Sequence, residues 1–337
     1  MPAIHPNFFI VGAPKAGTTA LYEYLDQHAQ VYMSPLKEPN FFASEFRPEH
    51  FSEADRPRIR REMHALQQYL NGDLLEKRFG GLVTTWEDYL RLYRKASNQI
   101  AIGEATPCYL WSKTAPRNIA EKIPHAKIIM SLRNPADRAF SQYLHMVTIG
   151  SVRKPFGELI GAALHREHKY FGPTWPFLEF GRYYEQVKRY MDEFPKSQIH
   201  ISLYEELQLA PVLLISELFA FLGVDSGYAV DLSARHLEPR VPKHANTAFF
   251  LKKWGIWTSL RSVVPAAWKT RLQKQLFRSR ASLVMGQADR TILTEYYRDD
   301  VIKLAKLIGR DLSAWLTPRV MSCETDQQKQ NRGVRHV

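Results

Sequence analysis

One short segment constrains this chain more than any other: an apolar run that stops at a glycine, turns, and opens a helical pattern. Phe8-Phe9-Ile10-Val11 leads into Gly12-Ala13-Pro14-Lys15-Ala16-Gly17-Thr18-Thr19. Four apolar residues ended by a glycine turn read as a strand, since a membrane span needs ~18 in a row. A strand that turns through glycines into a helix presents backbone amides and a helix N-terminus to a phosphate. Gly12 and Gly17 allow close backbone approach, and Thr18 and Thr19 supply hydroxyls and amides in the first helical turn. Lys15, three residues after the strand, reaches over the loop toward the terminal group of a ligand. Such a unit belongs in an α/β fold.

The rest of the chain keeps the rhythm. Apolar runs at 99–103, 126–132 and 198–203 read as further strands. Helical patterns fall at 18–28, 85–96, 135–149, 181–194, 210–222 and 288–308. This alternation predicts one P-loop-like domain over 1–320, with a central parallel β-sheet flanked by helices on both faces. A polar tail, 321–337, follows. Residues 46–80 read as a helical insertion with its helix near 58–69, 150–181 as a variable loop, and 235–290 as a basic helical segment. With 45% hydrophobic and 12% aromatic residues, the chain buries a core, which excludes disorder as its main state. Its two cysteines, Cys108 and Cys323, make neither a disulfide framework nor a metal-ligand spacing.

In the nucleotide-triphosphatase pattern, a Lys follows the second glycine directly and a Ser or Thr follows the Lys. Here Thr18 takes that place and the cation has moved forward to Lys15, so the spacing Gly-x4-Gly-x-Thr remains without its Lys-Thr pair. A P-loop nucleotide kinase, which needs that pair and a metal, is the weaker alternative. A lysine at position 15 suits a site that stabilises a leaving phosphate without a metal.

Lys15-Ala16-Gly17-Thr18-Thr19 after an apolar strand resembles the 5′-phosphosulfate loop of the sulfotransferases that use 3′-phosphoadenosine 5′-phosphosulfate (PAPS). A second segment, Ser131-Leu132-Arg133-Asn134-Pro135 through Ser141, resembles that family's 3′-phosphate signature of strand, Arg and Ser-bearing helix. Lys37-Glu38-Pro39-Asn40-Phe41-Phe42, Gly103-Glu104-Ala105-Thr106-Pro107-Cys108-Tyr109 and Ser202-Leu203-Tyr204-Glu205-Glu206-Leu207 are similar to segments of the heparan-type and bacterial members. Two departures stand out: Ala105 where those enzymes usually carry Lys, and Asn40 where His is frequent.

The resemblance implies a sulfotransferase with PAPS as donor and no metal. Lys15 would neutralise the leaving phosphate, with Ala16, Gly17, Thr18 and Thr19 around the 5′-phosphate. Arg133 offers a fork to the 3′-phosphate and Ser141 a hydroxyl, while Tyr204 would sit near the adenine or the 3′-phosphate. Lys243, in Val241-Pro242-Lys243-His244, is the best match to the loop that closes over the donor. Glu38 is the first choice for the general base and Glu104, at a strand's carboxyl end, the second. Against these roles stand plainer ones: Arg133 paired with Asp137, Lys37 as a flanking charge, Phe41 and Phe42 as core packing. The heparan-type matches favour a carbohydrate hydroxyl or amine as acceptor, with a lipid or small secondary metabolite as the alternative. An early first strand and the cytosolic origin of the donor imply a cytoplasmic, bacterial enzyme.

Net charge is +12, and residues 235–290 hold twelve Lys and Arg against two acids. The basicity is thus one segment, not a general property of the surface. No nucleic-acid motif accompanies it, so a basic nucleic-acid-binding protein is not expected. With Trp254, Trp257 and Trp268 among the cations, 250–280 suits an anionic acceptor or peripheral membrane contact.

Overall fold

The computed structural model describes residues 4–51, 53, 55–165, 176–233, 240–242, 277–279 and 283–317. Strand β1 (Phe8–Gly12) is buried at every residue, and the two-residue period of a strand divides its side chains. Phe8 and Ile10 join one hydrophobic cluster, while Phe9 and Val11 join the other. A strand apolar on both faces belongs in the middle of a covered sheet, and β1 lies there.

The sheet has five strands in the order β2-β5-β1-β6-β7, all parallel. The others are β2 (Val31–Met33), β5 (Ala101–Ala105), β6 (Lys127–Leu132) and β7 (Ile199–Leu203). Helices α1 (Thr18–Leu25) and α9 (Pro211–Leu222) bury Leu21, Leu25, Leu214, Leu218 and Phe219 against the face bearing Phe8 and Ile10. Helices α3 (Trp86–Arg91), α4 (Ala115–Lys122), α5 (Pro135–Thr148), α7 (Tyr183–Glu193) and α10 (Gln287–Ile308) contribute to the larger cluster on the opposite side. The expected α/β architecture, a parallel sheet with helices on both faces, is what the chain adopts.

Residues 46–80 contain α2 (Arg56–Asn71), and Phe46, Phe51, Ile59, Leu66 and Leu70 join the larger core. The stretch is thus integral to the core despite its polar composition. It closes with β4 (Arg78–Phe79), which pairs with β3 (Leu36–Lys37). Residues 150–181 include a helix, α6 (Phe156–Leu164), whose Phe156 and Ile160 are buried. In the basic segment, the described stretches β8 (Arg240–Pro242) and β9 (Phe277–Ser279) form an antiparallel pair rather than helix, and 287–290 begin α10. Lys243, Trp254, Trp257 and Trp268 lie outside the described residues. Among the described residues no helix is long and apolar enough to cross a membrane.

Candidate active site

Parallel strands leave their carboxyl ends on one edge, and ligands of open α/β sheets bind outside that edge. The register sets Ile10 beside Ala105 of β5 on one side and Ile129 of β6 on the other. The loop after β1 therefore emerges between Glu104, near the end of β5, and Arg133, just past the end of β6.

That loop is tied down by backbone. Ala13 N–H donates to Ser131 O at 2.7 Å, and Ser131 Oγ–H donates to Ala16 O at 2.6 Å. Lys15 has φ 68°, in the left-handed region that side chains disfavour. Gly17 caps α1 at φ 88°, and a Cβ there would stand 2.6 Å from Leu207 Cδ2. Glycine has no side chain to cap the helix, so the first-turn amides of α1 are left for a ligand. Thr18 is buried and Thr19 exposed.

Arg133 closes the other side. Its Nη1 donates to Lys15 O at 3.1 Å, its guanidinium lies 4.5 Å over the Tyr204 ring, and Tyr183 Oη–H donates to Arg133 O at 3.0 Å. Asp137 pairs instead with Arg290 at 2.6 Å, so Arg133 is not tied up by the neighbouring acid. Asn134 caps α5 by accepting from Ala136 and Asp137 N–H. That helix carries Ser141, which is buried at 6% exposure.

The carboxylates differ sharply. Glu38 has φ 66°, and three bonds hold its backbone there. Its N–H donates to Ala105 O at 3.0 Å, and its carbonyl accepts from Gly81 N–H at 3.1 Å and from Asn40 Nδ2 at 2.9 Å. Cys108 Sγ–H donates to Asn40 Oδ1 at 2.9 Å, tying this turn to the segment after β5. Glu38 Oε1 accepts from Lys37 Nζ at 2.7 Å, and the side chain stays 39% exposed. Glu104 is fully buried and accepts from Tyr89 Oη at 2.7 Å, Tyr109 Oη at 3.2 Å and Thr106 Oγ1. Burial pushes its pKa up to about 7, against the pull of those hydroxyls and of the Lys37 charge. Burial together with the Glu104 charge raises the phenol pKa values of Tyr89, Tyr93 and Tyr109. Among the described residues no group of three His, Cys, Asp or Glu is placed to hold a metal.

The loop after β1 is thus locked to an arginine–tyrosine stack, and the sulfotransferase family model matches residues 6–227. This chain belongs to the sulfotransferase family. It is similar to the bifunctional heparan sulfate N-deacetylase/N-sulfotransferase 1 of Xenopus laevis, with 29% identity over 319 residues, 92% of this chain and 31% of that protein. The human type 3 protein of the same name is 26% identical over 317 residues, again covering 92% and 31%. The chain thus spans about a third of the length of these relatives. A crystal structure of a sulfotransferase from Alicyclobacillus acidocaldarius superposes with TM-score 0.68 and 29% identity, covering 93% of this chain and all of that one.

This sulfotransferase joins Lys15 to Arg133, Arg133 to the Tyr204 ring and that ring to Gly17, while Ala16 is tied to Ser131 and Thr18 and Thr19 follow in the first turn of α1. Phe41 and Phe42 are core residues: Phe41 stacks on Tyr89, and Phe42 meets Trp86 and Tyr89 edge-on. Two features escaped the sequence. Lys37 is 2% exposed, a buried cation and not a flanking charge. Its setting between Leu36 and the apolar Phe41-Phe42 pair was the available signal. Tyr89 and Tyr93, one helical turn apart, line the Glu104 pocket with Tyr93 Oη donating to Tyr89 Oη at 2.9 Å.

Proposed function

We propose that this sulfotransferase moves the sulfuryl group of PAPS to a hydroxyl or amine of a carbohydrate acceptor by in-line displacement. The observation that carries the reading is the joining of the Lys15 loop to Arg133 and Tyr204 at the carboxyl edge of the sheet. The donor fits these residues: uncapped first-turn amides and Thr18 and Thr19 for the 5′-phosphate, the Arg133 fork and the buried Ser141 hydroxyl for the 3′-phosphate. Tyr204, already stacked under Arg133, offers a face to the adenine. Lys243 is assigned to closure over the donor from the sequence.

PAPS supplies the activated sulfuryl group. Glu38 takes the acceptor proton on its carboxylate as the new bond to sulfur forms. Lys15 neutralises charge on the phosphate oxygen as its bond to sulfur breaks, aided by the positive end of α1. The half-exposed Glu38 suits the base, whereas Glu104 has its oxygens occupied by hydroxyls and no exposure. The carbohydrate class rests on likeness to the heparan sulfate enzymes. Transfer of ³⁵S from PAPS to de-N-sulfated heparin tests it. Label in the polysaccharide supports the reading. Label reaching only lipid or small phenolic acceptors in a parallel screen would replace the acceptor class and keep the chemistry.

A further inference from the structure

We propose that Lys37 is the positioning residue for the base Glu38, an inference that rests on the function just proposed. Adjacent residues of a strand point to opposite faces, so neighbours rarely form an ion pair. Here the pair forms because Glu38 leaves the extended conformation at φ 66°, which brings Oε1 to 2.7 Å from Lys37 Nζ. The backbone bonds from Ala105, Gly81 and Asn40 fix that turn. The ammonium is 2% exposed while its partner is 39% exposed. A buried cation anchored below a partly open carboxylate is an asymmetric pair, with the fixed end inside and the working end at the surface.

Burying an ammonium is costly and does not by itself stabilise a fold. Among the described residues Lys37 makes its one ion pair with Glu38; the Phe79 ring lies 6.0 Å away, and the charge of Glu104 attracts it. Glu104 is satisfied by three hydroxyls, so Lys37 is not needed as its hydrogen-bond donor. Lys37 holds one oxygen of Glu38, and Oε2 takes no hydrogen bond from any described residue. Lys37 thereby selects which oxygen faces the acceptor and restrains the carboxylate's rotation, the kind of preorganisation that supporting residues give a reacting group.

The test is a double-mutant cycle on ³⁵S transfer from PAPS to de-N-sulfated heparin, with adenosine 3′,5′-bisphosphate binding as the control for fold and donor site. Lys37→Met should lower kcat by about tenfold to a hundredfold, as loss of a supporting partner does, with the KM for PAPS and the bisphosphate affinity unchanged. Added to Glu38→Gln, it should cost nothing further, because a residue acting through Glu38 has nothing left to position. If Lys37→Met loses bisphosphate binding, Lys37→Gln replaces it in the cycle. Full kcat in the folded Lys37 variant, or a loss that adds in full to that of Glu38→Gln, overturns the inference and leaves the proposed reaction standing. Absence of transfer by the wild-type enzyme to every acceptor tried overturns both.

Discussion

The two halves of the site are built in opposite ways. On the proposed donor side, three residues sit where a strand runs straight into a helix: Lys15 between β1 and α1, Arg133 between β6 and α5, Tyr204 at the start of α8 (Tyr204–Leu209) after β7. On the proposed acceptor side, Glu38 is held by its near neighbour Asn40 and by groups from distant parts of the chain: Ala105, Gly81 and, through Asn40, Cys108. The first kind of site follows from topology, since any parallel sheet sets such loops side by side. The second depends on a tertiary fit among short segments, with Glu38 and Asn40 both at positive φ. The comparison teaches where substitutions should damage binding and where they should damage chemistry.

Glu38→Gln strikes the acceptor half and should show the largest effect. A loss of about 10²–10⁴ in kcat is expected for removal of a general base, with bisphosphate affinity unchanged in calorimetry. Activity retained in that variant would move the base elsewhere, to Glu104 first. Lys15→Ala should cost about 10²–10³ in kcat, the scale of losing one group that stabilises developing charge, measured in the same transfer assay. If Lys15→Ala changed only the KM for PAPS, the residue would belong to donor binding and not to the chemical step.

Glu104 sharpens the comparison through stability. Its folded pKa of about 7 lies above the ordinary glutamate value of 4.5. Across that interval the unfolded chain has released a proton that folded Glu104 keeps, so stability falls as pH rises. The contribution is fully present below about pH 4.5 and gone by about pH 7, a change of roughly 3 kcal/mol from the 1.36 kcal/mol per unit rule. Glu104→Gln, whose amide oxygen still accepts from the hydroxyls, should flatten that part of a denaturation-midpoint-against-pH curve. An unchanged slope would show that Glu104 does not titrate in this range. Arg133→Ala should be the mildest, weakening bisphosphate binding by about tenfold to a hundredfold, as loss of a charge-assisted bond does, with kcat at saturating PAPS less affected. Unchanged affinity would remove Arg133 from the 3′-phosphate.

The same contrast explains what the sequence revealed. The β1 loop, the Arg133 segment and the alternation of strands and helices are local patterns. A glycine turn between an apolar run and a helix carries its meaning within a dozen residues. Edge strand β2, three residues long with Tyr32 partly exposed, is too short for periodicity to mark. Helix α2 is polar on most of its surface and buries Ile59, Leu66 and Leu70, so 46–80 reads as an insertion within the domain. Lys37 reads as a flanking charge because β4, whose Phe79 lies beside it, is far along the chain. Assigning Asp137 to Arg290 likewise required two helices, α5 and α10, that are far apart in the chain.

The proposed reaction needs the β1 loop, Arg133 and Tyr204 to form a site for a 3′-phosphorylated adenosine nucleotide. Isothermal titration with adenosine 3′,5′-bisphosphate in the absence of magnesium tests it most directly. Saturable heat at one site, weakened in Arg133→Ala, is expected. Tight binding of ATP with magnesium, and none of the bisphosphate, would contradict it.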